Sequence, residues 1–354
     1  MSTFVITGGH HNSALVVAKE LKSRGHKVVW IGHRYSSRGD TIDSAEYIEV
    51  TGSGIVFHDL VAGKLVLSFK ELVRFPLGLA KSYELLKAIR PAAIISFGGY
   101  LGGTVALSGK ALDIPIFLHE QTVTAGRANK LIGKLSKRIY LTWAQSSVYF
   151  DKSKTQVVGL PLRDTIIKGT SKQLFTRRKP TLLVMGGKQG ASTLNKFVFA
   201  HLSELLKDYN LVHQTGTSSL TGDYEKALAY QAELGSLSDC YLPLGYIGEN
   251  EIGHYLYSAD FYLGRSGAHI CYELGVTAIP SILVPLMFTH DHEQHKNAGI
   301  LEAAGIGLIL PQSELTFPHF VDKIKELKKL SGRPMPLPKD ATKVMVDSIL
   351  SMIK

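Results

Sequence analysis

The chain has 354 residues, enough for about two domains at roughly 150 residues each. Its composition, 45% hydrophobic and 20% charged, is that of an ordinary globular protein and excludes a chain that is mainly disordered. The 34 glycines follow no triplet period, and the two cysteines, Cys240 and Cys271, have no paired-ligand spacing, which excludes collagen, a disulfide scaffold and a structural zinc site. The net charge of +10 is uneven: residues 1–180 hold 26 Lys and Arg against 12 Asp and Glu, and residues 181–354 hold 14 against 18. A basic half attracts anions, whether nucleic acid, acidic lipid or a phosphorylated substrate, and the asymmetry implies two domains with different partners.

The N-terminus, MSTFVITGGHHN, has a short apolar stretch with no basic flank and does not read as a signal peptide. Short β-branched runs then alternate with helix-length segments. Strands are predicted at Phe4–Thr7, Val28–Gly32, Ala93–Phe97, Ile114–Leu118 and Ile139–Thr142. A second series is predicted at Leu182–Met185, Leu211–Gln214, Phe261–Leu263, Ser281–Val284 and Gly307–Leu310. Helices are predicted at Ser13–Arg24, Leu77–Ile89, Ala191–Lys207 and Glu293–Ala304. This alternation predicts an α/β fold with doubly wound parallel sheets. Residues 91–109 reach the length of a membrane span, but a leading proline and five glycines make them a strand, a turn and the start of a helix. No transmembrane helix is expected, and the expected location is cytoplasmic.

The pattern restarts near residue 180. The basic segment Lys168–Lys179 reads as a linker, which puts one domain at 1–165 and a second at 166–335. The segment RPMPLPK at 333–339 is stiff and extended, and residues 339–354 form a helix able to return to the first domain.

Three glycine-rich turns each follow a strand and precede a helix: Thr7-Gly8-Gly9-His10-His11-Asn12, Gly98-Gly99-Tyr100-Leu101-Gly102-Gly103 and Gly186-Gly187-Lys188-Gln189-Gly190-Ala191. Glycine lets backbone approach a ligand, and the following helix offers its N-terminal amides to an anion. None of the turns is GxGxxG or GxxxxGK[ST], which disfavours ordinary NAD and P-loop ATP sites. Arg265-Ser266-Gly267-Ala268-His269 opens a helix reaching Glu273, either for a diphosphate and a ribose or as an ordinary capped helix. The segment His290–His295 lacks HExxH spacing and reads as polar sugar contacts or a solvated helix start rather than a metal site. His119-Glu120-Gln121 ends a buried strand, as site residues or as a structural pair. His10 is a base candidate near neutral pH or a simple helix cap, and His11 competes with it for either role.

In this order the segments resemble glycosyltransferase family 28, and within it the membrane-associated GlcNAc transferases of peptidoglycan synthesis. TGGH at Thr7–His10 matches the end of the family's GGTGGH turn. Gly98–Tyr100, His119–Gln121, AG-x-x-NK at Ala125–Lys130 and Pro161-Leu162-Arg163 follow. GGKQGAS-x-LN, RSGA with Glu273, and Gln294 with Asn297-Ala298 complete the series.

The resemblance implies the GT-B fold, two Rossmann-like domains facing across a cleft. It also implies inverting transfer of GlcNAc from UDP-GlcNAc to the C4 hydroxyl of MurNAc in undecaprenyl-diphosphate-MurNAc-pentapeptide. Neither a metal nor another cofactor is expected, because a helix N-terminus and an arginine can hold the departing diphosphate and the sequence has no DxD. By position, His10 becomes the base, with Glu120 as a second catalytic group. The implied donor residues are Thr7, Gly8, Gly9, Thr122, Arg163, Gly187, Lys188, Gln189, Gly190, Ile247, Ser266, Gly267, Ala268, His269, Ile270, Cys271, Tyr272, Glu273 and Gln294. His11, Asn12, Tyr100, His119 and Gln121 fall on the acceptor side.

The chain departs from the family pattern in the first turn, at Thr122 for Asn, at Lys188 for Ser and at Glu293. These departures leave another lipid-linked acceptor, or a non-catalytic nucleotide-sugar-binding scaffold, as alternatives. A UDP-sugar epimerase shares the architecture without this run of motifs, and nucleic acid is not an expected partner because no recognised module is present. The resemblance further implies peripheral contact with an anionic membrane at the cytoplasmic face. Residues Phe57–Arg90 supply Leu65, Leu67, Phe69, Leu72, Phe75, Leu77 and Leu79 among Lys64, Lys70, Arg74 and Lys81, either for that contact or for packing on their own domain.

Overall fold

Apolar strands buried on both faces pair most readily in parallel, with helices covering the sheet. In the computed structural model this happens twice. The structure describes residues 1–35, 43–62, 69–187, 189–218, 220–288, 292–330 and 332–353, of which residues 69–73 by backbone only. The chain divides into two compact units, Met1–Leu162 with Pro338–Lys354, and Arg163–Leu337.

The first unit holds β1 (Thr3–Thr7), β2 (Lys27–Gly32), β3 (Val56–Asp59), β4 (Ala93–Ser96), β5 (Ile116–Glu120), β6 (Arg138–Leu141) and β7 (Thr155–Val157). They form a parallel seven-stranded sheet in the order β3-β2-β1-β4-β5-β6-β7. The helices between them are α1 (His11–Ser23), α2 (Ala45–Gly52), α3 (Phe69–Ile89), α4 (Gly99–Ala111) and α5 (Arg127–Leu135). Phe4, Ile6, Trp30, Ile95 and Phe117 are fully buried in its core. The order reverses direction between β1 and β4, and at such a switch point the connections leave to opposite faces and open a crevice at the carboxyl ends of the strands. The turns at Gly8–Gly9 and Gly98–Gly99 occupy those ends.

The second unit repeats the plan with β8 (Thr181–Met185), β9 (Asn210–Gln214), β10 (Tyr241–Leu244), β11 (Phe261–Gly264), β12 (Ser281–Leu283) and β13 (Gly307–Ile309). These form a parallel six-stranded sheet in the order β10-β9-β8-β11-β12-β13. Its helices are α6 (Asp164–Lys168), α7 (Ser192–Ala200), α8 (Leu202–Asp208), α9 (Asp223–Glu233), α10 (Ile252–Ser258), α11 (Ala268–Thr277), α12 (Glu293–Ala303) and α13 (Phe317–Leu327). The switch point falls between β8 and β11, where the Gly186–Gly190 and Arg265–Ala268 turns begin.

The chain then returns to the first unit. Residues before the crossing are pinned on α11: Met335 N–H donates to Gly275 O at 2.8 Å, and a Cβ on Gly275 would lie 3.0 Å from both Leu337 and Met335. The C-terminal helix, Ala341–Met352, packs against α1 with Ala341, Met345, Val346 and Ile349 fully buried. Tyr140 Oη donates to Ser348 Oγ at 2.9 Å, Lys137 Nζ donates to Met352 O at 2.7 Å, and Arg24 pairs with Asp347.

Several elements differ from the sequence expectation for local reasons. β3 and β7 are short edge strands with no fully buried residue, so they carry no apolar run. β10 contains Pro243, which an edge strand tolerates because one row of N–H groups goes unused. The helix expected over Ala191–Lys207 breaks at His201 into α7 and α8. The segment Lys168–Lys179 is not a free linker. It belongs to the second unit, where Thr170 Oγ1 lies 3.1 Å from His254 Nδ1 and Lys172 exchanges bonds of 2.8 Å with Ser258.

No described helix is long and apolar enough to cross a membrane. Of the expected membrane patch, Lys64, Leu65 and Leu67 lie outside the described residues, as do the side chains of Phe69, Lys70 and Leu72. On the rest of α3, Leu77 is 65% exposed, Lys81 is exposed, and Arg74, Phe75 and Leu79 are half-buried. Replacing Ile349 by Ala should destabilise the first unit by about 2–5 kcal/mol, the range for a fully buried aliphatic side chain, read from its transition in denaturant.

Candidate functional site

In the first unit, the turns after β1 and β4 are built against each other. Gly8 has φ +132°, and a Cβ there would lie 2.7 Å from the backbone of Phe97. Gly9 N–H donates to Gly98 O at 3.2 Å, so the two turns share a hydrogen bond. His10 sits at the N-cap of α1, where its side chain makes no capping bond. His11 Nε2 donates to Glu49 Oε2 on α2 at 2.8 Å. The two adjacent histidines are therefore in different settings, one on the turn and one tied to α2. Asn12 is half-buried on the first turn of α1, and the Tyr100 ring lies 5.3 Å from that of His33.

Glu120 ends β5 and is 1% exposed, yet both its oxygens are occupied. Oε1 accepts from Thr122 N at 3.0 Å and Thr122 Oγ1 at 2.9 Å, and Oε2 accepts from Asn129 Nδ2 at 2.7 Å. Asn129 Oδ1 in turn accepts from Gly99 N at 3.1 Å, so the carboxylate holds the second glycine turn through one amide. Burial raises the Glu120 pKa, against the hydrogen bonds from Thr122 and Asn129. His119 is fully buried and its Nε2 donates to Gly159 O at 3.0 Å. Thr7 Oγ1 at the end of β1 and Gln121 Nε2 just past β5 are buried and make no hydrogen bond among the described residues. Asn129 was not among the expected site residues, although its place in the AG-x-x-NK segment marked it as a polar residue on an otherwise amphipathic helix.

In the second unit, the turn after β8 is equally constrained. A Cβ on Gly190, whose φ is +78°, would collide with Thr215 O, and one on Gly216 would collide with Gln189. Gly187 O accepts from Gly190 N at 2.9 Å and from Gln214 Nε2 at 3.0 Å. Lys188 lies outside the described residues. Below the turn runs a buried chain that the sequence reading missed. Asn195 Nδ2 donates to Thr215 O and to Asp223 Oδ2, both at 2.8 Å, and its Oδ1 faces His213 Nε2 at 3.0 Å. An amide oxygen only accepts, so His213 Nε2 carries the proton and Nδ1 accepts from Tyr241 Oη at 3.0 Å. Burial lowers the His213 pKa to about 3, so the ring stays neutral. Helix α7 then begins at Ala191 with no capping side chain and no acidic residue in its first turn, which leaves amides for an anion.

Helix α11 starts the same way, from Gly267. Ser266 Oγ donates to Gln294 O at 2.9 Å, Asn297 Nδ2 donates to Ser266 O at 3.3 Å, and Gln294 Oε1 accepts from Leu286 N at 3.0 Å. These bonds seat the start of α12 beside the start of α11. Arg265 is structural: its guanidinium donates to Val284 O at 3.0 Å and to Gln312 Oε1 at 2.7 Å. Ala268, Cys271 and Tyr272 are buried, and burial raises the Cys271 thiol pKa. Ile270 is half-buried on the first turn, and Ile247 is 3% exposed.

One turn along α11, Glu273 is fully buried against Arg163. Arg163 Nε and Nη2 donate to Oε1 at 3.0 and 2.6 Å, and Nη2 also reaches Oε2 at 2.7 Å. Arg163, expected within residues 1–165, belongs to the second unit, where it caps α6. That helix is fixed on α10, with Thr165 Oγ1 donating to Glu249 O at 3.1 Å and Tyr257 Oη donating to Ile166 O at 2.9 Å. His269 Nε2 also lies 3.2 Å from Glu273 Oε1. Thus Arg163, His269 and Glu273 meet, with Ser266, Gly267, Ala268 and Gln294 on adjoining backbone. Thr7, Gly8, Gly9 and Thr122, expected on the donor side, lie in the first unit.

Burial alone would raise the Glu273 pKa, but Arg163 and then His269 override it and hold the carboxylate well below its ordinary 4.5. A depressed folded-state value means that the pair contributes fully above pH 4.5 or so and less as pH falls toward the depressed value. Glu273→Gln should therefore cost about 3–5 kcal/mol at neutral pH, by leaving a buried guanidinium without its counter-charge. The gap to wild type should close as pH drops below 4.5. Denaturant unfolding at pH 7 and pH 3 checks both.

Similarity to known proteins follows the same two units. The glycosyltransferase family 28 N-terminal domain matches residues 5–141, and the family's C-terminal domain matches residues 181–349. The UDP-N-acetylglucosamine–N-acetylmuramyl-(pentapeptide) pyrophosphoryl-undecaprenol N-acetylglucosamine transferase of Pseudomonas syringae is 30% identical, over 91% of this chain and 87% of its own. The transferase of the same name from Clostridium tetani is 27% identical, over 98% and 95%. Among solved structures, Acinetobacter baumannii MurG has a TM-score of 0.69 at 22% identity, covering 99% of this chain and 100% of its own. The Neisseria meningitidis UDP-GlcNAc 2-epimerase has a TM-score of 0.66 at 15% identity over 99% and 100%, so the GT-B architecture alone does not separate transferase from epimerase. The family domains and the near full-length relatives do separate them: this chain is a member of glycosyltransferase family 28.

Proposed function

We propose that this glycosyltransferase moves GlcNAc from UDP-GlcNAc to the C4 hydroxyl of MurNAc in undecaprenyl-diphosphate-MurNAc-pentapeptide, a step of peptidoglycan synthesis. The observation that carries the reading is the start of α11 in a chain whose relatives bear that transferase name: an uncapped helix N-terminus, a buried carboxylate and an arginine bound to it. This set suits a nucleoside diphosphate, with amides and guanidinium for phosphate and carboxylate for ribose hydroxyls. Gln294 and the Gly187–Gly190 turn belong to the same donor site, with Ile247 offering backbone to uracil.

The reaction forms a bond from the acceptor O4 to C1 of GlcNAc and breaks the bond from C1 to the β-phosphate oxygen. Attack from the face opposite UDP inverts the anomeric centre. His10 takes the O4 proton, and UDP leaves with its new negative charge held by the helix amides and Arg163. His10 is preferred to His11 because it stands at the N-cap of α1, on the Gly8–Gly9 turn itself, whereas His11 lies within the helix and points to Glu49 on α2. Glu120 acts as a positioning residue: it is buried and spends its oxygens on Thr122 and Asn129, which fix the Gly98–Gly99 turn. Tyr100, Gln121 and Asn12 complete the acceptor side.

Work at the cytoplasmic face of the membrane follows from the lipid-linked acceptor, and exposed Leu77 with Lys81 on α3 suits an anionic surface. A Leu77→Glu, Lys81→Glu pair should weaken sedimentation with phosphatidylglycerol vesicles by at least about fivefold, given roughly 1 kcal/mol per well-placed charge, and leave UDP binding intact.

The central test is turnover of labelled UDP-GlcNAc with a synthetic polyprenyl-diphosphate-MurNAc-peptide in detergent. His10→Ala should lower kcat by about 10²–10⁴-fold with little change in KM for UDP-GlcNAc. UDP-GlcNAc binding by wild type without transfer to this acceptor would refute the acceptor assignment.

A further inference from the structure

Glu273 is held from two directions. Arg163 reaches it from the N-cap of α6, and His269 reaches it from α11 itself, four residues earlier. The two contacts differ in permanence. Residues four apart on a helix stay neighbours whatever else moves, whereas an arginine side chain on another element is free to change rotamer. They also differ in kind: Arg163 donates hydrogen bonds to both Oε1 and Oε2, whereas His269 Nε2 approaches Oε1 to 3.2 Å without a hydrogen bond while Arg163 holds the carboxylate.

A bidentate arginine is also a preferred partner for phosphate. Drawn onto a diphosphate, Arg163 would abandon a carboxylate that has no exposure to water, and a stranded buried charge of that kind is strongly unfavourable. Among the described residues, His269, 17% exposed at its side chain, is the cationic side chain that would remain beside Glu273.

The geometry points to a partner exchange, which rests on the donor site proposed above. When the nucleoside diphosphate binds, Arg163 passes from Glu273 to the phosphates. His269, already 3.2 Å from Oε1, then turns its Nε2–H onto that oxygen, and the freed Oε2 accepts a ribose hydroxyl. His269 is then a positioning residue that makes diphosphate binding compatible with a buried Glu273.

The probes are UDP and uridine, titrated against the full chain by calorimetry or by competition. Uridine has no phosphate to draw Arg163 away, so its binding leaves the ion pair intact. His269→Leu, which spares that pair, should lose about tenfold in UDP affinity, the scale of one charge-assisted hydrogen bond, and keep its uridine affinity. KM for UDP-GlcNAc should rise by about the same factor, with kcat within about threefold of wild type. His269→Gln, whose amide can donate to Glu273, should regain most of the UDP affinity. Equal loss of uridine and UDP in both variants would mean a merely structural histidine and overturn the exchange, as would wild-type UDP affinity in His269→Leu. A wild type that binds no UDP at all would instead sink the donor site, an outcome distinct from failure of the exchange alone.

Discussion

The site depends on how closely backbone passes backbone at the carboxyl ends of the parallel strands. Gly8 against Phe97 and Gly190 against Thr215 leave no room for a Cβ, and both glycines have positive φ. Each close pass draws the turn after a sheet's first strand onto a neighbouring turn, at or beside the place where the strand order reverses. Within each unit, helices that lack a capping side chain then begin at the switch point. A larger residue at either glycine would push the turn out and separate the groups that a ligand must find together.

Each unit also buries a carboxylate near its turns, and the two are handled differently. Glu120 is satisfied by neutral donors, so burial prevails and its pKa rises. Glu273 is met by a guanidinium and an imidazole, so charge prevails over burial and its pKa falls. Neutral donors make a rigid bracket suited to holding a turn in place. A charged partner on a separate helix makes a contact that another anion can compete for. The difference follows from which residue each helix presents, Asn129 from α5 and Arg163 from the cap of α6.

Much of this was legible in the sequence. The buried strands, the three glycine turns and the order of short motifs carried the architecture and the family, because apolar runs and glycine pairs report local requirements directly. What was hidden depends on contacts between distant positions. β3 and β7 are edge strands with little to bury, and the proline of β10 masked a third. Asn195 and His213 lie on separate elements, and nothing in either segment reveals that they share a hydrogen bond. The grouping of Arg163 with the second unit was hidden for a similar reason: α6 is short, and its docking on α10 shows which core it joins.

The return of the chain to its starting unit has a consequence for how the protein is made. Met345 and Ile349 complete the core of the first unit, yet they follow all of the second unit in the chain. On the ribosome, where domains generally fold as they emerge, the second sheet is fully synthesised while α1 still lacks its covering helix. The first unit to be translated is therefore the last to be finished. Any nascent chain halted between the two leaves α1 without the helix that packs on it, and leaves the first core short of Met345, Val346 and Ile349.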